Sequence, residues 1–315
     1  MTLTFYLFFS ILVLVALATA EPLTSATPTS IITRPPGNTT VSFLIPNPNS
    51  DPRALIPLQM MLPNGQWSKS VIFNFDTGAS WPTDIPPQLL SDFGAEPVSS
   101  DERSVRNVKI RIVGFPLEFT IPTMVQDEAH YDLFKKNPDR YPLVRVQDLM
   151  PYLSIVYEKD RTTLRTKDLG VPPEISKPGT IRFPDASVRN ETPTSSWYWT
   201  RAKISGPSSG RYATDWFLID SGNKEILVKK SLADEVGLDL SPGRNSRNFD
   251  SNVSIEFSEA TPSGGIENAK INVREDSARF GRGGEPRNLI GGSGLMDNRS
   301  IVLWDLHIAL VPTTF

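Results

Sequence analysis

Phe73-Asn74-Phe75-Asp76-Thr77-Gly78-Ala79-Ser80 (FNFDTGAS), followed by WPTDIP to Pro86, reads as a buried strand that ends in a tight turn. The apolar run from Val71 to Phe75 leads into Asp76. Gly78, two residues on, suits a reversal of the chain that leaves the carboxylate exposed. Alone the tripeptide Asp-Thr-Gly decides little, because average composition yields it by chance in on the order of one chain in twenty of this size.

A second copy lies further along. FLIDSGNK, with Asp220, matches FNFDTGAS at an offset of 144 residues. PPQLLSDFGA lies against VKKSLADEVGL, with Gly94 18 residues after Asp76 and Gly237 17 residues after Asp220. LMPYLSIV, Leu149 to Val156, lies against LMDNRSIV, Leu295 to Val302, at an offset of 146. VKIRIVGFPLEFTI, Val108 to Ile121, alternates on both sides of a glycine-containing turn and reads as a hairpin. Its counterpart is SNVSIEF, Ser251 to Phe257, followed by a turn at Gly264-Gly265 and IENAKINV. Four collinear matches at nearly one offset make a duplicated unit of about 120 residues the natural reading.

The rest of the chain fits two lobes rich in β structure. At 315 residues it can bury a substantial core, and with no cysteine that core must hold the fold without disulfides. A formal charge of -3 with no basic run excludes a nucleic-acid footprint. Residues 1–20 form an apolar leader ending in Ala18-Thr19-Ala20, the form of a signal-peptidase site. The stretch Leu3 to Leu17 is short for a span and has no Lys or Arg before it, which favours a cleaved leader and a secreted protein over an uncleaved anchor. Four sequons, at Asn38, Asn190, Asn252 and Asn298, agree with an extracellular glycoprotein. Residues 21–50 read as a Ser/Thr/Pro-rich tail or pro-segment, 51–168 as the N-terminal lobe, 169–195 as the inter-lobe connection and 196–315 as the C-terminal lobe.

Two such turns related by a pseudo-twofold axis would bring Asp76 and Asp220 face to face. Carboxyls held that close cannot both ionise cheaply, so they share one proton and titrate as a unit. One can act as base toward a water while the other, protonated, polarises a scissile carbonyl. This is peptide hydrolysis with no metal, cofactor or covalent intermediate.

In these residues the sequence resembles the aspartic peptidases, and DTGASWPTDIPPQLLSDFGA is especially similar to their retropepsin-like branch. LIGG, Leu289 to Gly292, resembles the family's apolar-apolar-Gly element. The resemblance covers most of residues 52–315. It implies an all-β, two-lobed acid-protease fold with two similar β-barrel lobes and the cleft between them. It implies Asp76 and Asp220 as the dyad, Thr77 and Ser221 bonding across the lobe interface, and Gly78 and Gly222 allowing close backbone approach. The chain would be a monomer, an intramolecular pseudo-dimer of retropepsin-like halves, acting on protein or peptide substrates.

Several positions depart from that pattern. LVRV, Leu143 to Val146, places Arg145 where the second half has a glycine, which questions how the first lobe supports its loop. Asn223 follows Gly222 where Ala, Ser or Thr is usual. No tyrosine lies between Asp76 and Tyr131 to serve as a flap residue, and the segments after Gly94 and Gly237 are short and polar. Arg34 is the only basic residue before Arg53, so a basic pro-segment is absent. These departures keep open a peptide-binding pseudopeptidase of weak or no activity. Ala79 cannot donate the hydroxyl bond that many acid-acting members use to support the ionised dyad, so the expected pH optimum is less acid than theirs.

Other constellations are weaker. With only His130 and His307, a histidine zinc site or a Ser-His-Asp triad is improbable, and His307 reads as strand filling. GRGGEPRNLIGGSG, Gly281 to Gly294, lacks the Lys-Ser/Thr of a phosphate loop. Trp197, Tyr198 and Trp199 read as sheet packing ahead of a subsite. A glycosidase with Asp76 and Asp220 as its carboxylate pair is not favoured by the Asp-Ser/Thr-Gly context.

Overall fold

A computed structural model describes residues 39–45, 53–79, 81–97, 105–137, 140–183, 188–192, 195–206, 210–223, 225–238, 249–257, 260, 262–274, 288–296, 299–305 and 307–313. The leader, most of the Ser/Thr/Pro-rich tail, Asn38, Asn298, the segments 98–104 and 239–248 where flaps were expected, and the glycine-rich run 281–287 lie outside these residues.

Nineteen strands among the described residues form three sheets. The first lobe is a six-stranded sheet in the order β4 (Thr83–Asp84), β6 (Glu118–Met124), β5 (Val105–Ile112), β2 (Leu55–Met60), β3 (Val71–Asp76), β7 (Leu143–Arg145). The second lobe is a seven-stranded sheet in the order β11 (Val188–Thr192), β12 (Ser195–Ser205), β13 (Tyr212–Asp220), β17 (Asn288–Gly291), β14 (Ile226–Lys229), β16 (Gly264–Arg274), β15 (Phe249–Phe257). Strands β2 and β5 bury alternate residues, as one-sided sheet strands do. β3 instead buries Phe73, Asn74, Phe75 and Asp76 in succession, as an interior strand covered on both faces where it leads to the site.

Both expected hairpins form. Val108 pairs with Ile121 and Ile110 with Phe119 in β5–β6, and Ile255 pairs with Ile266 in β15–β16. The second turn lies earlier than expected: Gly264 and Gly265 belong to β16, opposite Phe257 and Glu256. A Cβ on Gly265 would collide with the Ile255 carbonyl, so glycine is needed there for backbone approach within the sheet. Among the described residues the α-helices are short: α1 (Glu128–Lys136), α2 (Lys230–Glu235) and α3 (Gly292–Met296).

The third sheet joins the halves, in the order β1 (Thr40–Leu44), β9 (Arg161–Thr166), β8 (Leu153–Tyr157), β18 (Arg299–Trp304), β19 (His307–Pro312), β10 (Ile181–Arg182). Thr40–Leu44, within the stretch read as a tail, is therefore an edge strand. Ile181–Arg182, within the stretch read as a connection, is the other edge. At the seam, antiparallel β8 and β18 pair Ile155 with Leu303, Val156 with Val302, and Tyr157 with Ile301. With the 146-residue offset, Val156 faces its own repeat equivalent and the flanking pairs exchange. The pseudo-twofold axis passes between those two valines.

Tyr198 and Trp199 are buried in β12, and His307 sits half-buried in β19 with its ring 5.3 Å from that of Trp304. The side chains of Trp197 and His130 lie outside the described ones. No helix among the described residues is long and apolar enough to cross a membrane.

Candidate active site

Asp76 ends β3 and Asp220 ends β13. Each strand runs parallel to a later strand of its own lobe, so that Asp76 lies opposite Arg145 of β7 and Asp220 opposite Gly291 of β17. The two turns beyond them interlock. Thr77 N–H donates to Ser221 Oγ at 3.1 Å, and Ser221 N–H donates to Thr77 Oγ1 at 2.8 Å. The Thr77 hydroxyl then donates to the Ile219 carbonyl at 2.9 Å, and the Ser221 hydroxyl to the Phe75 carbonyl at 3.1 Å. Each hydroxyl thus accepts one bond and donates one across the lobe interface, and both residues are buried.

This grip sets the carboxyls against each other. Gly78 N–H donates to Asp76 Oδ1 at 2.7 Å, and Gly222 N–H to Asp220 Oδ1 at 2.9 Å. A Cβ on Gly78 would sit 2.5 Å from Cγ of Asp220, and one on Gly222 would sit 2.5 Å from Cγ of Asp76. Each carboxyl therefore lies against the glycine of the opposite turn, in space that no other residue type leaves free. The six site residues expected from sequence are brought together.

Burial raises the Asp76 carboxyl above the usual range, opposed by hydrogen bonds from Asp220, Gly78 N–H and Gly222 N–H. Asp220 is pushed well above that range by burial, reinforced by the charge of Asp76 and the bond between the two carboxyls. A pair so arranged holds one proton in common and titrates as a unit.

Arg145 does not disturb the first lobe. Its guanidinium pairs with Asp148 at 2.6 Å, both side chains 10% exposed, and its N–H reaches Thr83 Oγ1 at 3.3 Å. In the second lobe the equivalent Gly291 N–H donates to the Glu225 carbonyl at 3.1 Å, and a Cβ there would meet that oxygen at 2.5 Å. Glycine is thus required only where the neighbouring loop bonds β17 through its backbone. Asn223 closes that loop: its Oδ1 accepts from Glu225 N–H at 3.0 Å and its carbonyl accepts from Gly292 N–H at 2.7 Å.

Three features were not anticipated from sequence. Gln147 Nε2 donates to the Thr77 carbonyl at 2.8 Å. Asp84 is buried, accepting from Trp81 Nε1 at 3.2 Å, from Leu143 N–H at 2.9 Å and from Gln126 Nε2; burial nevertheless pushes its carboxyl up to about 6. A cavity of about 650 Å³ opens beside Asp76 between Arg53, Trp81, Arg140 and Tyr141 on one side and Asn223 and Glu225 on the other. The Arg53 guanidinium carbon lies 5.1 Å from the centre of the Tyr141 ring, giving one wall an aromatic and cationic character. Comparing LVRVQDL with LIGGSGL could have singled out Gln147 and Asp148, since both break the repeat. Nothing in the local sequence marks the cavity. Among the described residues no group of His, Cys, Asp and Glu could hold a metal ion.

No protein-family model matches the sequence, and no curated protein matches it significantly. Among solved structures, the crystal structure of the aspartic proteinase from Irpex lacteus matches with a TM-score of 0.53 at 10% identity, covering 88% of this chain and 98% of that one. At that identity the likeness speaks to architecture. The two lobes, the sheet that joins them and the paired strand-end turns are those of one known arrangement: the chain has the two-lobed, all-β fold of the aspartic proteinases.

Proposed function

We propose that the protein is a secreted aspartic endopeptidase whose dyad is Asp76 and Asp220. The observation that carries this is the reciprocal packing of each carboxyl against the opposite glycine, beneath the Thr77–Ser221 grip. A water between the carboxyls gives a proton to Asp76 as its oxygen attacks the scissile carbonyl carbon, while Asp220 gives its proton to the carbonyl oxygen. In the resulting tetrahedral diol, Asp220 takes back a hydroxyl proton and Asp76 protonates the amide nitrogen. The C–N bond then breaks, leaving acid and amine with one proton again shared by the dyad. The cavity beside Asp76 would receive a substrate side chain. Export rests on the apolar leader ending at Ala20, and the two half-sites in one chain make a monomer sufficient.

The test is incubation of the mature protein with denatured protein substrates from acid to neutral pH, beside Asp76→Asn and Asp220→Asn. Cleavage that disappears in both variants is expected, and replacing Ala79 by Ser should carry the optimum to more acid pH. Absence of cleavage at every pH, with peptides still bound, would sink the enzymatic reading in favour of a peptide-binding pseudopeptidase.

A further inference from the structure

The two half-sites are alike in their grip and unlike in what lies behind it. Gln147 follows β7 in a short 3-10 turn, Val146–Asp148, and its side-chain amide reaches the carbonyl of Thr77 at 2.8 Å. Since that partner is a carbonyl, the nitrogen end of the amide must face it. The register that places Asp76 opposite Arg145 and Asp220 opposite Gly291 makes Ser293 the counterpart of Gln147. Serine carries no amide, so the second half has no equivalent of this donor in its sequence.

The bonded carbonyl belongs to the same peptide unit as the N–H of Gly78. That N–H donates to Asp76 Oδ1 at 2.7 Å, against 2.9 Å for the Gly222 bond to Asp220. Donation to the carbonyl of a peptide polarises the whole unit and strengthens the bond its N–H makes, because successive hydrogen bonds in a chain reinforce one another in a low-dielectric interior. Gln147, the Thr77–Gly78 peptide and the Asp76 carboxylate form such a chain. Gln147 Oε1 is buried and meets no donor among the described residues, an unfavourable arrangement that the fold accepts while keeping the amide in place.

We propose that Gln147 is a positioning residue that biases the dyad: through the Thr77–Gly78 peptide it favours negative charge on Asp76 and so leaves the shared proton on Asp220. Ala79, at the end of the same turn, carries no hydroxyl of its own to support the ionised carboxyl. The other titratable or charged groups around Asp76 are Asp220, the Tyr157 phenol, the Arg145–Asp148 pair, and Arg53, Asp84, Arg140 and Glu225 about the cavity. A change confined to position 147 leaves all of them present. The kinetic consequence rests on the peptidase reading above, while the placement of the proton stands apart from it.

The experiment compares wild type with Gln147→Met, which keeps length and removes the donor, and Gln147→Glu, whose carboxyl still donates while protonated. The dyad carboxyls are followed directly by NMR of protein labelled with 13C-carboxyl aspartate, their signals assigned with Asp76→Asn and Asp220→Asn. Gln147→Met is expected to raise the lower apparent pKa of the dyad by about half a unit, with Gln147→Glu close to wild type at that acid limb. The acid limb of kcat/KM for a peptide should move by the same amount, roughly a threefold change in the acid dissociation constant. A dyad titration unmoved in Gln147→Met overturns the proposal, even if activity falls. If wild type cleaves no peptide at any pH, it is the peptidase reading that fails, and the carboxyl titration still decides the role of Gln147.

Discussion

Replacing Thr77 by Val tests the grip in isolation. Valine keeps the shape of the side chain and removes only the hydroxyl, which accepts from Ser221 N–H at 2.8 Å and donates to the Ile219 carbonyl at 2.9 Å. Thr77 is fully buried, so both partners lose their bond with no water to replace it. A buried polar group left unpaired costs about 1–3 kcal/mol, and two of them set the expected loss at about 2–6 kcal/mol. Ser221→Ala should cost less, because the Phe75 carbonyl it abandons still lies 3.4 Å from the Tyr157 hydroxyl. The double variant should cost less than the two single losses together, since loosening one pair admits water to the other. Urea unfolding followed by tryptophan fluorescence measures all three, with Thr77→Ser as the control that keeps the hydroxyl. A loss below about 1 kcal/mol for Thr77→Val would refute the claim that these bonds hold the lobes in register.

Gly78→Ala should separate folding from chemistry: the new Cβ would press on the movable Asp220 carboxyl, so melting temperature stays near wild type while cleavage falls by about 100-fold or more. Arg145→Leu should cost about 3–5 kcal/mol in urea unfolding, because Asp148 is left buried and unpaired, and adding Asp148→Leu should recover much of it. The carboxyl of Asp84, ordinarily near 3.8, is raised to about 6, so the folded state holds its proton where the unfolded chain has lost it. Its contribution to stability therefore declines as pH rises from about 4 to 6 and is level above that. At about 1.4 kcal/mol per pH unit this amounts to about 3 kcal/mol, and it should vanish from the pH profile of Asp84→Asn.

The duplicated half-sites and the hairpins were legible in sequence for a physical reason. Alternation in Val108 to Ile121 reports a single buried face, and the Asp-Thr-Gly and Asp-Ser-Gly turns carry chemistry that few other residues can supply. Thr40–Leu44 was read as tail because five residues in a Ser/Thr/Pro-rich setting carry too little pattern. Its place depends on pairing with Arg161–Arg165, more than a hundred residues away, where Ser42 and Thr163 hydroxyls meet at 2.8 Å. Asp84 looks like an ordinary turn residue until Trp81, Gln126 and Leu143 converge on it. Arg145 looked like a defect because the family pattern asks for glycine, and only the buried partner Asp148 shows how the larger side chain is housed.

The seam at Val156 and Val302 is an isologous contact, in which each half presents to the other the surface it receives. Geometry of that kind is the geometry of a symmetric homodimer, and it needs no covalent link to define it. Joining the halves in one chain supplies a high local concentration of each for the other. It also frees the two copies to diverge, so that Gln147 and Arg145 can arise on one side of the axis while serine and glycine stay on the other.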